Sequence, residues 1–417
     1  MKIKTVVTIT PIAIARDSRT WKQAASVAGF GYRSIVFEGR PSRLESAHLP
    51  FSLGSLPPIS RPAGSGKARK GKGGGRAPEK RRGKGSQRAR DMSQSALDGM
   101  RRVLRAPGAL LRFIRGNWLA PLRTIPPADI YYLHGFKYFP LVYLLCRKHR
   151  ARYIYDAHDF YPSLPYNFQL RLVRRLEGIC VRKAAAFVTV GEGIAGLYRG
   201  KYGRAATVIR NCHDGRLDRP PQKDIRQALG LSPEDFLLVC VSRPVEGRAV
   251  QEPIAAMQNL PPQVHLAFVG RGYEGFAAGL CDAELGKRVH FLAPVLPYEI
   301  VPFIRTADVA LLNRFAANPN HQHALPNSFF QAVAAGLPLL YPDLSEIKRI
   351  SEKHELGLQV DPRSPQSIAH AVSNLLEAPA GLAAYKRNVQ RASEKLSWQH
   401  EETILRQVVE SIADAAA

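Results

Sequence analysis

The chain has 417 residues, 45% of them hydrophobic, with 60 Lys and Arg against 34 Asp and Glu and a net charge of +26. That length is too great for one ordinary core and suits two domains of roughly 150–200 residues each. The apolar content argues against a disordered chain, and no apolar run approaches the roughly 20 residues that span a bilayer. The positive balance points to a phosphate-rich partner without choosing among nucleic acid, an anionic membrane surface and a phosphorylated small molecule.

The cysteines, Cys146, Cys180, Cys212, Cys240 and Cys281, are odd in number and none has metal-ligand spacing, which suits a reducing compartment. The opening MKIKTVVTITPIAIARDSRTW is β-branched and ends in an Asp-Ser-Arg turn without a small-residue cleavage site. It predicts a buried first strand of a cytoplasmic protein and not a signal peptide.

Short β-rich runs alternate with helical patterns to about residue 375, the pattern of parallel sheets with crossover helices. Strands are predicted at Ile3–Ile9, Ser34–Glu38, Ile130–Leu133, Tyr153–Asp156, Ala186–Val190 and Thr207–Arg210. A second set follows at Phe236–Val241, His265–Val269, Val289–Leu292, Val309–Leu312, Pro338–Tyr341 and Leu358–Val360. Between the sets, HDGRLDRPPQKDIRQALG carries turn residues and paired prolines, so a domain boundary is expected near 213–222. The predicted fold is α/β, two doubly wound Rossmann-like domains facing a cleft. In such sheets ligands bind beyond the carboxyl ends of the strands.

An insert at about 55–100 belongs to neither sheet. Its centre, 61–91, is Gly, Pro, Lys and Arg with almost no apolar residue, a composition that predicts disorder. The segment that follows, about 100–124, alternates Val103, Leu104, Leu110, Leu111, Phe113, Ile114 and Trp118 with arginines. It fits an anionic membrane surface, with peripheral attachment to the inner face of the plasma membrane; equally it fits a helix packed on its own domain with arginines in water. Nucleic acid ranks last, because no aromatic residue interleaves the basic run and no recognition module surrounds it.

Several strand-end loops carry candidate chemistry. In VSRPVEGRAVQEP, Arg243 and Arg248 flank Pro and Gly before a helix start, which suits a diphosphate or else a solvated basic turn. In FVGRGYEGF, Gly270 and Gly272 permit close backbone approach to a ligand. HQHALPNSFFQAVAAGLP predicts a helix opening at Pro326 and stopping at Gly336, with Asn327 and Ser328 N–H groups suited to an anion. Gln331 lies one turn in, either toward a ligand or simply exposed. In the first half, Asp17, Ser18 and Arg19 open a helix, and DIYYLHGFK and YIYDAHDFY bring His134, His158 and Asp159 to one sheet edge.

In their order these segments resemble the large group of retaining GT-B glycosyltransferases, described as glycosyl transferases group 1 or family 4-like. The likeness runs through DSRTWKQAASVAGFGY, YDAHD, RRLEGICVRKAAAFVTVGEGIAGLYRGKYG, VIRNC, VSR, VEGRAV, LAFVGRG, RVHFLAPVLPYEIVPFIRTADVALL and ALPNSFFQAVAAGLPLLYPD, leaving out roughly 41–128. The resemblance implies an acceptor-binding domain at 1–215, a nucleotide-sugar-binding domain at 216–394 and a helix at 395–417 returning to the first. It implies His158, Arg243 and Arg248 in catalysis. Gly270, Gly272, His290, Phe291, Leu292, Val295, His323, Asn327, Ser328 and Gln331 would hold the donor, and Asp17, Ser18, Arg19, His134 and Asp159 the acceptor. It further implies a nucleotide-diphosphate sugar as donor, a lipid-linked or polysaccharide acceptor, and no cofactor or metal, because cationic side chains and a helix N-terminus stabilise the leaving group.

The family's two glutamates fall at His323 and Gln331 here, its lysine after Pro-Asn at Ser328, and the Gly-Gly of its first loop is absent. The alternative these departures raise is a non-catalytic scaffold of the same fold that binds a nucleotide sugar or a partner protein.

Overall fold

The structure is a computed structural model that describes residues 4–42, 49–56, 111, 113–164, 168–280 and 282–415. The basic insert from residue 57 onward, and the amphipathic segment up to residue 110, lie outside the described residues.

The first sheet has seven strands in the order β3-β2-β1-β4-β5-β6-β7. They are β1 Thr5–Thr10, β2 Arg33–Glu38, β3 Ser52–Ser55, β4 Ile130–His134, β5 Arg152–Ala157, β6 Ala186–Thr189 and β7 Thr207–Val208. β1 pairs in parallel with β2 (Val7 opposite Ile35) and with β4 (Val7 opposite Tyr131). Val6, Val7 and Ile9 are fully buried, as strands covered on both faces must be.

The second sheet has six strands in the order β10-β9-β8-β11-β12-β13. They are β8 Phe236–Val241, β9 Val264–Val269, β10 Val289–Leu292, β11 Val309–Leu311, β12 Leu339–Tyr341 and β13 Gly357–Gln359. Alternation along β8 sends Leu237 and Val239 into one apolar cluster, with Phe329, Phe330 and Val333. It sends Phe236, Leu238 and Cys240 into another, with Phe268 and Leu340. One strand thereby nails both faces of the sheet to their helices.

Counted from its own first strand, each sheet begins 3-2-1-4-5, the doubly wound order, so each has a switch point: between β1 and β4, and between β8 and β11. The predicted strands are all present, with ends shifted by a few residues at most. β3 was not anticipated. Its sequence SLGS lacks a strand pattern; it is held by parallel pairing with β2 and by Gly54, where a Cβ would lie 2.7 Å from the Phe37 ring. Phe51 just before it is buried, edge-on to Trp21 at 5.2 Å.

The chain divides into two compact units, Met1–Asp156 with Leu164–Ala185 and Ile412–Ala417, and Ala157–Ser163 with Ala186–Ser411. The described end of the amphipathic segment turns inward in the first unit. Phe113 is buried, Trp118 meets it edge-on at 5.5 Å, and Arg115–Leu119 packs on the helix Phe139–His149. Leu111 remains 65% exposed. No described helix is long and apolar enough to cross a membrane.

Candidate functional site

In the first unit, the helix Ser18–Gly29 starts after β1. Asp17 caps it, accepting from Thr20 N at 3.2 Å and from the Thr20 hydroxyl, and is nearly buried. Arg19 is 2% exposed and forms a two-pronged pair with Asp156, Nε at 3.0 Å from Oδ2 and Nη2 at 3.0 Å from Oδ1. Asp156 also accepts from Gln23 Nε2 at 3.0 Å and Tyr132 Oη at 3.4 Å, while His134 stacks on Tyr132 at 4.9 Å. Burial works against the Arg19 charge, and Asp156, together with Tyr132 and Asp17, more than offsets it. Of the residues foreseen at the acceptor end, Asp17, Arg19 and His134 are thus built into the interior, and Ser18 and Asp159 are exposed.

In the second unit, the loop after β8 carries the basic residues. Arg243 is exposed at its start, and Gly247 turns the chain with φ +80°. The loop then runs antiparallel to the extension of β11. Ala249 N donates to Asn313 O at 2.8 Å, Phe315 N to Gly247 O at 3.0 Å, and Asn313 Nδ2 to Ala249 O at 2.6 Å. Between those bonds Arg248 pairs with Arg314. Desolvation, then Arg248, pushes the Arg314 guanidinium down to about 10 against the pull of Asp159. Arg248 is lowered by desolvation and by Arg243.

Asn320 pins the short segment 157–163 into this unit: Phe160 N donates to its Oδ1 at 2.7 Å, and its Nδ2 donates to Ser163 Oγ at 3.0 Å. His158 and Asp159 are thereby fixed. The surroundings desolvate the Asp159 carboxyl and raise it, although its rim is open to solvent and His158, Arg314 and His321 pull the other way.

The helix Asn327–Ala334 follows an extended Pro326 and has no side-chain cap, so its first N–H groups lack an intrahelical partner. Asn327 is exposed and accepts from Asn211 Nδ2 at 2.8 Å; Ser328 and Gln331 are half-buried. His323 Nδ1 lies 2.8 Å from Ser345 Oγ and over Gly193, where a Cβ would fall 2.3 Å from that nitrogen.

Gly270 closes on the end of β8: a Cβ there would lie 1.9 Å from Ser242 O, and Gly272 holds φ +95° beside Pro244. His290 Nε2 is 3.1 Å from His265 Nδ1 and stacked on that ring, with its pKa lowered to about 4 by burial and by His265. Phe291 stacks on Phe268 at 5.5 Å, while Leu292 and Val295 pack on the opposite face of the sheet.

Arg314, His321 and Asn320 were missed at the level of sequence. The strand end LLNRF borders the switch point, but what marks Arg314 is its pairing with Arg248, a non-local contact that no local pattern shows.

The description "Glycosyl transferases group 1" matches residues 235–378, and "Glycosyl transferase 4-like domain" matches residues 73–212. The chain is 27% identical over 196 residues to a D-inositol 3-phosphate glycosyltransferase of Rhodococcus erythropolis, a match taking in 44% of this chain and 43% of that protein. It is 24% identical over 153 residues to a teichuronic acid biosynthesis glycosyltransferase of Bacillus subtilis, 36% of each chain. The chain thus spans less than half the length of these curated relatives. Among solved structures it is similar to Alr3699/HepE of Anabaena in complex with UDP, with 17% identity, a TM-score of 0.65, and 98% and 100% of the two chains covered. It is also similar to a sucrose-phosphate synthase of Thermosynechococcus elongatus, with 15% identity, a TM-score of 0.69, and 99% and 100% covered. At these identities the structural likeness establishes two Rossmann-like GT-B sheets and nothing finer.

Proposed function

The chain belongs to the group 1 and 4-like glycosyl transferases, and from that premise we propose that it moves a sugar from a nucleotide-diphosphate donor to a lipid-linked or polysaccharide acceptor, with retention of configuration, in making a cell-surface polysaccharide. The observations that carry the proposal are the Arg248–Arg314 pair at the β8/β11 switch point and the helix Asn327–Ala334, in the crossover from β11 to β12, which begins without a side-chain cap. Breaking the bond between sugar and diphosphate builds negative charge on the departing phosphate oxygen. Cations and free N–H groups already in place lower that barrier without reorganising. On this reading 216–394 holds the donor, 1–215 the acceptor, and 395–417 returns to the first domain.

Arg243 and Arg248 neutralise the leaving group in this scheme, and no metal is required. Asn327, Ser328 and Gln331 meet diphosphate and ribose, with Gly270, Gly272 and His323 alongside. His290, Phe291, Leu292 and Val295 flank the base, and His158 lies beside the transferred sugar. Support for a nucleotide donor comes from the fold-mate solved with UDP, and for an envelope-type acceptor from the teichuronic acid relative. Attachment to an anionic membrane through the basic insert would bring a lipid-linked acceptor within reach.

A second reading is favoured by the first turn of 327–334, which offers Ser328 and Gln331 where the family carries a cation and a carboxylate: the chain would then bind a nucleotide sugar without transferring it. The test is incubation of the full chain with UDP-, GDP- and ADP-sugars and a membrane lipid extract, with and without EDTA. Labelled sugar entering the lipid fraction from one donor, with the anomeric configuration kept and EDTA without effect, is the expected result. Binding without transfer from any donor would favour the second reading; no binding would end both.

A further inference from the structure

Arg248 and Arg314 face each other across two antiparallel segments, between the Ala249–Asn313 and Gly247–Phe315 hydrogen bonds. A pair of this non-hydrogen-bonded kind brings its side chains out on one face at the closest spacing an antiparallel ladder allows. Like charges placed so repel each other. Guanidinium groups do not escape by losing a proton near neutral pH. The arrangement is reinforced, since Asn313 adds its own side-chain bond to Ala249 O at 2.6 Å.

No carboxylate is in contact with this pair: among the described residues no ion pair joins Arg248 or Arg314 to a carboxylate, Asp159 reaches Arg314 only at longer range, and Glu246 acts on His321 and not on the arginines. Arg314 Nε is shut from water without a hydrogen-bond partner, and so is His321 Nδ1. The imidazole sits where Gly247 leaves room: a Cβ at that residue would lie 2.7 Å from His321 Nδ1. Two guanidinium forks and an imidazole with an unmet nitrogen call for several anionic oxygens on one centre. A phosphoryl group supplies them, and two parallel N–H donors from each arginine fit its geometry.

We propose that Arg314, with Arg248 and His321, grips a phosphoryl oxyanion at the β8/β11 switch point, which makes Arg314 a ligand-binding residue outside the motifs legible in the sequence. The inference rests on the donor-site reading above and extends it. A phosphoryl group reaches this site from one of two sources, the diphosphate of the donor or a phosphate on the acceptor.

The experiment is calorimetric titration of the full chain, and of Arg314→Gln, Arg314→Lys and Arg248→Gln, with UDP, inorganic pyrophosphate and glycerol 3-phosphate, alongside the unliganded Tm of each. Arg314→Gln should weaken binding about ten- to hundredfold, the ordinary worth of a charge-assisted contact. Its unliganded Tm should hold or rise as the repulsion is relieved. Arg314→Lys, which keeps the charge and loses the fork, should fall between. Loss confined to UDP and pyrophosphate assigns the donor's diphosphate, and loss confined to glycerol 3-phosphate assigns an acceptor phosphate; both support the site. Unchanged affinities in Arg314→Gln with weakened ones in Arg248→Gln overturn the proposal and leave the donor reading standing. A lowered unliganded Tm with unchanged affinity makes Arg314 a structural brace and also overturns it. No binding of any probe by the unaltered protein overturns both.

Discussion

The two switch points share a strand order and treat arginine in opposite ways. Beyond β1 and β4, Arg19 is locked to Asp156, and Gln23 and Tyr132 take further positions on the same carboxylate. Beyond β8 and β11, Arg248 and Arg314 oppose each other with no ion-paired carboxylate among the described residues. The first arrangement neutralises its charge inside the fold and braces the sheet. The second keeps its charge for something that arrives from solution. Identical topology therefore does not confer identical chemistry; where the carboxylate stands decides it.

The largest expected effect comes from breaking the closed switch point. Asp156→Asn leaves the buried Arg19 cation without its anion and should cost about 3–5 kcal/mol in urea unfolding. A loss below about 1 kcal/mol would show that Arg19 has another counter-ion. At the open switch point the ordering should invert. Arg248→Gln should leave the unfolding free energy of the unliganded protein, read from urea titration, within about 0.5 kcal/mol of the original, while weakening nucleoside-diphosphate binding by about 1.5–3 kcal/mol.

Between the two lies a steric test. Gly270→Ala places a methyl group against Ser242 O, which the end of β8 cannot yield, and should cost about 1–3 kcal/mol. Unfolding of that variant with an unchanged midpoint would mean the loop after β9 shifts freely.

A smaller effect concerns pH. His290 has a folded pKa of about 4 against about 6.5 when unfolded. The unfolded chain therefore binds more protons between these values, and stability falls as pH drops from about 6.5 to about 4. His290→Phe should remove about 1 kcal/mol of that stability loss over the window, an amount discounted for the ring's partial exposure. The smallest effect on stability is expected from deleting 61–91. The Tm should hardly move, whereas binding to phosphatidylserine-containing vesicles at low salt should drop. Equal vesicle binding by the two proteins would remove the membrane role.

Strands were legible because TVVTIT, FLLVCV and their kin are short β-branched or continuously apolar runs that are buried almost throughout, and alternation with helices implied their parallel order. The helix after Pro326 was legible from proline at its start and Gly336, at φ +77°, just past its end. β3 was not, because an edge strand reading SLGS is specified by its neighbours and not by its own pattern. Arg243 and Arg248 could be singled out because their loop announces itself with Pro and Gly. Arg314 could not, since in LLNRF it looks like the frayed end of a buried strand. Its meaning comes from pairing with Arg248, a non-local contact. In the same way nothing in HQHALP tells which histidine lies over Gly247 and which against Ser345.

Hydrogen exchange of the full chain with and without saturating UDP tests most directly whether the open switch point is the one that binds. The expected result is slowed exchange at 242–250, 313–315 and 327–331, with residues 17–23 and 130–136 unchanged. Protection at 17–23 and 130–136 with none at 242–250 would contradict it.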